Sequence, residues 1–329
     1  MFLQNGLDTF FIMMVGLSGS GKSTTAEKLA EKFDAIIFSS DKIRVELFGD
    51  DKNVYDKQHH KLVFEELHKR AIEALKQGKN VIYDATNLNS KNRVDFLLQL
   101  DKYHIDCRKF AYLMDVDLQS CLFQNKDRNE VVPPDVIDRQ IENFDIPSRF
   151  EGFEQVILNS LYSLNKGYEF CQDTYCPKYN RQKYKKIKKD MKNFDQKNKH
   201  HKYNLWKHSK LMAKYCKKSV SYKNIDKFMI FHDIGKMFTR KFKDDGQATY
   251  YHHENIGIYF LLMNMDLFKN IPYDEIIDGL YLINHHMLCF ITEGRNISIE
   301  KRRNYKYRWF YISYYLLKSI NECDKLASN

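Results

Sequence analysis

Residues 10–29 read FFIMMVGLSGSGKSTTAEKL, and this run predicts the architecture of the first half of the chain. Six apolar residues come first, a glycine-rich turn follows at 16–23, and an amphipathic helical pattern begins directly after it. The turn fits the pattern G-x-x-x-x-G-K-[ST]. Its position between a strand and a helix is the context in which that pattern holds phosphate. The sequence therefore predicts a phosphate-binding loop (P-loop).

The chemistry of this loop points to ATP and Mg²⁺. Glycines let backbone N–H groups turn toward phosphate oxygens, and the helix N-terminus adds its dipole. Lys22 is expected to reach the β- and γ-phosphates, and the hydroxyl of Ser23 is expected to bind Mg²⁺. The predicted nucleotide-binding residues of the loop are Gly16, Ser18, Gly19, Ser20, Gly21, Lys22, Ser23 and Thr24.

Buried strands alternate with helical patterns through the first 160 residues. Apolar runs suited to strands lie at 10–15, 35–40, 80–85, 109–116 and 155–159. Strands that alternate with helices favour a parallel sheet with helices on both faces. We therefore predict an α/β domain with a P-loop over residues 1–160, and the loop alone does not separate kinases from ATPases and GTPases.

Two carboxylates follow predicted strands at the edge where ligands bind in open α/β sheets. Asp41 comes after the second run, in FSSDKIR, and Asp84 ends the third, in VIYDATN. Asp41 is placed either to accept a proton from a phosphoryl acceptor or to cap the next helix. Asp84 is expected beside the Mg²⁺ site. A loop with Lys126 and Arg128 either closes over the phosphate or is an ordinary charged surface loop.

Several blocks resemble the P-loop kinase family that contains polynucleotide 5′-kinases, over most of residues 10–160. These blocks are GLSGSGKST, SSDKIR, YDATNLNSKNR with its Arg93, NKDRNEVVPPDVI and EGFEQVI. The resemblance implies that Asp41 is the general base for a nucleic-acid 5′-hydroxyl. It also implies that Arg44 holds a phosphate of the acceptor strand and that Arg128 is the lid arginine. Related small-molecule kinases share much of this layout.

Positive charge is concentrated in one segment. The 329-residue chain has a formal charge of +10, and residues 178–202 alone hold eleven Lys or Arg and two Asp. Such a segment is either a solvated connector or a salt-dependent contact surface for nucleic acid. We predict a basic linker over residues 161–203.

The cysteines and the apolar runs of the sequence indicate the cellular compartment. Seven cysteines include no CxxC pair, which favours reduced thiols and a cytoplasmic setting. The apolar run at 10–15 is too short to cross a bilayer, so we expect no membrane association.

The rest of the chain, residues 204–329, predicts an all-α domain with a metal site. Imidazoles and carboxylates recur on helical segments at His208, His232, Asp233, His253, His285, His286 and Asp324. When such groups converge inside a helical bundle they form a mononuclear or dinuclear site, which suits Mn, Fe, Co, Ni, Zn or Mg. Lys236, one turn beyond Asp233, is placed to contact a phosphate.

This pattern resembles the HD phosphohydrolase superfamily. The blocks LWKHSKLM, FHDIGK, HENIG and LINHHM look especially like the HD domains that accompany tRNA-end nucleotidyltransferases. The resemblance implies that the first metal is held by His208, His232, Asp233 and Asp324. By the same resemblance His253 and His285 complete a second site, whereas His252 and His286 lie around the ligands or at the surface. Water activated by the metal then attacks a phosphoester.

The two resemblances together predict a bifunctional RNA or polynucleotide end-repair enzyme. It would phosphorylate 5′-hydroxyl ends with ATP and remove 3′- or 2′,3′-cyclic phosphates with a divalent metal. Nucleic acid, RNA in preference to DNA, is then the substrate, and an RNA ligase can act downstream. The alternatives are a small-molecule or nucleoside kinase with an HD phosphohydrolase, and an ATP-sensing regulator with an HD hydrolase of signal nucleotides.

Overall fold

The computed structural model describes residues 9–49, 57–127, 131–164, 176–198, 202–287 and 310–328. The chain divides into two compact units. The first runs to Asp138 and resumes at Pro147, whereas Arg139–Ile146 belongs to the second together with the described residues from 176 onward. Arg128, the predicted lid arginine, lies outside the described residues.

A parallel five-stranded sheet forms the centre of the first unit, in the order β2-β3-β1-β4-β5. The strands are β1 Phe10–Val15, β2 Ala35–Ser39, β3 Asn80–Asp84, β4 Arg108–Leu113 and β5 Gln155–Leu158. All six residues of β1 are buried, so both faces of this central strand are covered. The predicted parallel α/β sheet is confirmed, and each predicted strand agrees with the observed one to within three residues.

Helices connect these strands, and one more helix follows the last strand. They are α1 Lys22–Phe33, α2 Ser40–Phe48, α3 Lys57–Lys76, α4 Ser90–Lys102, α5 Leu118–Asn125, α6 Pro134–Glu142 and α7 Asn159–Leu164. The apolar face of α1, with Ala26 and Leu29, packs in one core with Ile12 and Ile82 of the sheet. Burial of each large apolar side chain contributes about 1.5–3 kcal/mol. This packing fixes the start of α1 beside the carboxyl end of β1, where the P-loop lies.

The second unit is mainly helical, as predicted. Its helices are α8 Arg181–Asn193, α9 Leu205–Ser219, α10 Ile225–Met229, α11 Lys236–Thr239, α12 His253–Leu262, α13 Tyr273–Asn284 and α14 Phe310–Ser328. A two-residue antiparallel ladder, β6 Lys241–Phe242 with β7 Ala248–Thr249, was not predicted because strands so short show no alternating pattern. No described helix combines the length and apolar character needed to span a bilayer.

The segment predicted as a basic linker contains an ordered helix. Helix α8 buries Ile187 and Met191 and packs on α9. Asn180 accepts a hydrogen bond from the backbone N–H of Lys183 and thereby caps its N-terminus. Only these two apolar positions mark the buried side of the helix. The many charged residues around them made the segment look like a linker.

Candidate functional sites

The glycine-rich turn of the first unit adopts a compact loop between β1 and α1. The backbone N–H of Gly16 donates to the carbonyl of Thr86 at 3.1 Å, and Nζ of Lys22 donates to the carbonyl of Leu17 at 2.7 Å. Gly19 has a φ of 78°, and a Cβ there would overlap the carbonyl oxygen of Cys121. The loop therefore requires glycine at this position for two independent reasons.

The N-terminus of α1 is open to an anion. The helix begins at Lys22 after Gly21, and no side chain caps it. The N–H groups of a helix's first turn have no acceptor inside the helix. These groups, the helix dipole and the Lys22 ammonium together fit the phosphates of a nucleotide.

A hydroxyl and a carboxylate lie side by side where Mg²⁺ is expected. The Oγ of Ser23 donates to Oδ2 of Asp84 at 2.8 Å. Burial raises the pKa of Asp84, although the hydrogen bond from Ser23 and the charge of Lys22 oppose this effect. Oxygen ligands next to a phosphate site are those that Mg²⁺ prefers, so Ser23 and Asp84 fit that ion.

The strand register brings the two predicted carboxylates to one edge of the sheet. Ser39 at the end of β2 pairs with Asp84 at the end of β3, and Asp41 follows in the first turn of α2. The N-cap of α2 is Ser39, so Asp41 is not the helix cap. Its Oδ1 accepts a 2.8 Å hydrogen bond from the largely buried Arg44, while the Asp41 side chain is 61% exposed. An acceptor hydroxyl can therefore reach Asp41.

Arg93 has a structural role that motif reasoning did not assign. Its guanidinium is completely buried and forms two hydrogen bonds to Glu151, at 2.5 and 2.7 Å. The same group donates to the carbonyl oxygens of Asn87 and Leu88 at 2.8 and 3.1 Å. Asn87 in turn donates to the carbonyl of Met14 at the end of β1, at 2.7 Å. Arg93 therefore fixes the turn after β3 that supports the P-loop.

A side chain joins the two ends of the loop predicted as a lid. Asn125, at the end of α5, donates to the carbonyl of Val132 at 2.8 Å and accepts from its N–H at 3.1 Å. Lys126 begins the loop between these two residues. Arg128, predicted in the same loop, lies outside the described residues.

A buried cluster of histidines and aspartates lies in the second unit. Its members, each at most 8% exposed, are His208, His232, Asp233, His253, His286 and Asp324. Three of these residues have candidate ligand atoms that all lie within 4.8 Å of one another, namely His208, His232 and Asp233. A second set of three, Asp233, His253 and His286, meets the same limit. Asp233 belongs to both sets.

In the first set, Nε2 of His208 lies 3.2 Å from Nε2 of His232. Oδ2 of Asp233 lies 3.3 and 3.2 Å from these two nitrogens. Oδ1 of Asp324 lies 3.0 Å from Nε2 of His208. Two imidazole nitrogens that face each other among carboxylates cannot both carry a proton without repulsion, and this arrangement fits a shared cation.

In the second set, Oδ1 of Asp233 lies 3.1 Å from Nε2 of His253 and 3.7 Å from Nε2 of His286. Both nitrogens are buried without a hydrogen bond of acceptable geometry among the described residues. The Nδ1 atoms lie 2.8 Å from the carbonyl of Tyr250 and 2.6 Å from that of Ile283. When Nδ1–H donates to these carbonyls, Nε2 carries no proton and keeps a free lone pair. This is the tautomer that binds a metal through Nε2.

The structure brings His286, and not the predicted His285, to this second set. Helix α13 ends at Asn284, and the chain turns so that His286 faces Asp233. Nδ1 of His285 instead lies 3.0 Å from the carbonyl of Tyr281, and its ring stacks on that tyrosine at 4.2 Å. The helical period used in the prediction no longer applies beyond the helix end.

Close backbone approach positions the His232–Asp233 pair. Helix α10 ends at Met229, and Nδ1 of His232 lies 2.8 Å from the Met229 carbonyl. A Cβ at Gly235 would overlap the carbonyl of His253 at the start of α12. Glycine at this position therefore lets α12 bring His253 within reach of Asp233.

Charge in the cluster is balanced by groups of opposite sign. Burial opposes protonation of His232, but the Asp233 and Asp324 carboxylates outweigh it and raise its pKa to about 10. Burial also opposes ionisation of Asp233, yet His232 and Lys236 hold its pKa well below the usual range. Nζ of Lys236 donates to Oδ2 of Asp233 at 2.6 Å and to Gln196 at 3.1 Å. A site with this excess of carboxylate and imidazole ligands fits a divalent cation.

Comparison with known proteins defines the class of the first unit. A family model described as an AAA domain matches residues 11–147. The P-loop, the parallel sheet and this match show a P-loop kinase-like domain, which confirms the prediction at that level. No curated protein sequence matches the chain.

Solved structures also resemble the chain. A sugar kinase from Janibacter sp. HTCC2649 is 15% identical with a TM-score of 0.36, over 46% of this chain and 84% of that one. A chain of the Pnkp1/Rnl/Hen1 RNA repair complex is 17% identical with a TM-score of 0.35, over 54% of this chain and 55% of that one. Deoxyadenosine kinase from M. mycoides is 14% identical with a TM-score of 0.30, over 48% and 99%. These scores are too low to assign a substrate to this chain.

Proposed function

We propose that the chain is a bifunctional enzyme that heals polynucleotide ends, with RNA as the favoured substrate. The first unit phosphorylates a 5′-hydroxyl with ATP, and the second removes a 3′- or 2′,3′-cyclic phosphate. The observation that carries this proposal is the occurrence in one chain of two sites suited to phosphate chemistry. One is a P-loop with an accessible acceptor-side carboxylate, and the other is a buried cluster of histidine and aspartate.

In the kinase reaction, the acceptor oxygen forms a bond to the γ-phosphorus of ATP while the bond to the β–γ bridging oxygen breaks. Asp41 takes the proton of the acceptor hydroxyl, and Arg44 holds Asp41 and a phosphate of the acceptor strand. Lys22 and the first-turn N–H groups of α1 bind the donor phosphates. Ser23 and Asp84 would hold Mg²⁺, which would neutralise phosphate charge when it is bound.

In the hydrolase reaction, His208, His232, Asp233 and Asp324 are the proposed ligands of one ion. His253 and His286 are the proposed ligands of a second ion, with Asp233 shared. Divalent ions bound at such a site would activate water and neutralise phosphate charge. Lys236 adds a buried ammonium that pairs with Asp233 and is suited to a phosphate oxygen. A ligase, such as an RNA ligase, can join the resulting ends.

The test uses two reactions with the full-length protein. It is incubated with 5′-hydroxyl RNA, γ-labelled ATP and Mg²⁺, and separately with 3′-phosphate RNA and Mn²⁺ or Ni²⁺. We expect label on the RNA in the first reaction and free phosphate in the second. Label transfer to a nucleoside or sugar but not to RNA supports the small-molecule kinase instead. Tight ATP binding with no phosphorylated product supports the ATP-sensing regulator.

A further inference from the structure

A groove of about 420 Å³ lies in the second unit, beside the outer face of α9. It is lined by residues of α9 and α10, by Tyr184 of α8, by Tyr179 just before that helix, and by the turn that follows Met265–Leu267. Its charged and aromatic lining includes Tyr179, Tyr184, Lys210, Lys214, Lys217 and Lys227. We name this surface the lysine groove.

The groove is strongly cationic. Lys269 adds a fifth ammonium to its lining, whereas Asp226 is the only carboxylate among the lining residues. Nζ of Lys217 lies 3.4 Å from that carboxylate. Lys210, Lys214 and Lys217 are exposed and follow the spacing of one helix face, so their charges repel one another unless an anion is present. A polyanion with regularly spaced charges relieves this repulsion.

Aromatic rings stand among these charges. The ring of Tyr184 is held in place by edge contacts with Trp206 and Phe231, at centroid distances of 6.4 and 6.0 Å. The ring of Tyr179 lies 6.1 Å from that of Tyr184, and its side chain is half-buried. Two neighbouring tyrosines, one of them fixed by its contacts, supply a face on which a planar base stacks.

Helix α8 carries further positive charge. Arg181, Lys185, Lys189 and Lys192 are exposed, and their spacing places them within one face of the helix. Lys183, by contrast, is held by Asp266 at 2.7 Å. The exposed face is thus basic over the length of α8, the helix that also contributes Tyr184 to the groove.

We propose that the lysine groove binds the phosphodiester backbone of a single-stranded polynucleotide, with one base stacked on Tyr179. This inference rests on the proposed function and assigns its substrate-binding surface. A row of ammonium groups interleaved with aromatic faces is the combination that binds single strands. A duplex stacks its bases internally and offers no free base face to a tyrosine. An acidic peptide matches the charge but leaves the aromatic faces unused.

The experiment measures binding of a short fluorescein-labelled single-stranded oligoribonucleotide to the full-length protein by anisotropy, across a series of KCl concentrations and without ATP. In the triple variant Lys210→Gln, Lys214→Gln, Lys217→Gln, loss of three phosphate contacts is expected to reduce the salt slope of log K by about 2. At ~0.1 M salt this corresponds to about 100-fold weaker binding. The matched control replaces Lys28, Lys69 and Lys243, exposed lysines outside the groove lining, with Gln. It removes the same charge and is expected to bind within about twofold of wild type.

A second variant tests the aromatic contribution. Tyr179→Leu is expected to weaken binding at least about fivefold with the salt slope unchanged. The inference is overturned if the groove and control triple variants bind alike, if Tyr179→Leu binds as wild type, or if polyglutamate displaces the RNA as well as unlabelled RNA does. Circular dichroism of each variant establishes that it is folded.

The experiments distinguish a wrong assignment of the lysine groove from a wrong assignment of the enzyme function. If the wild type turns over both ends of RNA but the groove variants bind normally, the groove assignment falls and the enzyme assignment stands. If binding depends on the groove but neither end is processed, the enzyme assignment falls and the groove remains a polynucleotide-binding surface.

Discussion

Oδ1 of Asp233 lies 3.1 Å from Nε2 of His253. The other oxygen of the same carboxylate lies 3.2 Å from Nε2 of His232, so Asp233 faces both sets of histidines. A carboxylate shared between two sets of histidines is suited to a site for two divalent ions. Of the adjacent His285 and His286, His286 faces Asp233 whereas His285 stacks on Tyr281, and this difference can be tested.

The adjacent pair His285 and His286 provides a matched comparison. His286→Asn removes a nitrogen that faces Asp233, whereas His285→Asn removes a ring that stacks on Tyr281. We expect His286→Asn to weaken binding of one divalent ion at least ~100-fold, because the loss of even an outer partner of a ligand costs 10–100-fold. Metal content after dialysis against Mn²⁺ or Ni²⁺ measures this. Equal losses in the two variants contradict the assignment of His286.

Asp84 is expected to destabilise the ligand-free protein at neutral pH. Burial raises its pKa. The folded protein therefore loses stability as pH rises from the ordinary pKa of aspartate through that raised value, where Asp84 ionises. Asp84→Asn is therefore expected to raise the melting temperature at neutral pH, by an amount that shrinks as pH falls toward the ordinary pKa of aspartate. The same variant is expected to lose the stabilisation by ATP and Mg²⁺. The exposed Asp95→Asn is the control. A lower melting temperature for Asp84→Asn disproves the argument.

The buried pair of Arg93 and Glu151 is expected to stabilise the first unit. Glu151→Gln leaves a fully buried guanidinium without a carboxylate, which costs about 3–5 kcal/mol. Calorimetry is expected to show one transition lowered by about 10 °C. Glu154→Gln breaks the more exposed pair with Arg108 and is expected to cost about 0–1 kcal/mol. Similar effects for the two substitutions do not fit this account.

Asp41 distinguishes a kinase from a nucleotide sensor. If Asp41 takes the proton of the acceptor, Asp41→Asn is expected to lower kcat of the 5′-kinase by about 10²–10⁴-fold. Binding of ATP, which rests on the P-loop, is expected to change little. Single-turnover kinetics and ATP titration separate the two quantities. Phosphorylation at the wild-type rate by Asp41→Asn excludes it as the base.

The sequence predicted the sheet and the P-loop because their signals are local. A buried strand such as Phe10–Val15 is a continuous apolar run, and the loop after it is a fixed spacing of glycine, lysine and serine. The strand order, in contrast, depends on contacts between distant segments. The assignment of Arg93 to Glu151, 58 positions away, has no local signature either.

The residues that form the buried cluster of histidines and aspartates could be read from the sequence more readily than their geometry. The recurrence of His and Asp on helical segments indicated His208, His232, Asp233, His253 and Asp324. The choice between His285 and His286 depended on where α13 ends, which a helical period cannot specify. The anchoring of the backbone N–H of Ile146 by Asn284, at 2.8 Å, likewise reflects the inclusion of Arg139–Ile146 in the second unit. No motif signals that inclusion.

The central claim is that one chain holds two independent centres for phosphate chemistry. A single RNA oligonucleotide with a 5′-hydroxyl and a 3′-phosphate tests it most directly, with products identified by mass spectrometry after incubation with ATP, Mg²⁺ and Mn²⁺. We predict that wild type yields 5′-phosphate and 3′-hydroxyl ends, that Lys22→Ala yields hydroxyl at both ends, and that Asp233→Asn yields phosphate at both ends. If either variant loses both reactions, or if wild type leaves the oligonucleotide unchanged, the claim of two independent centres is wrong.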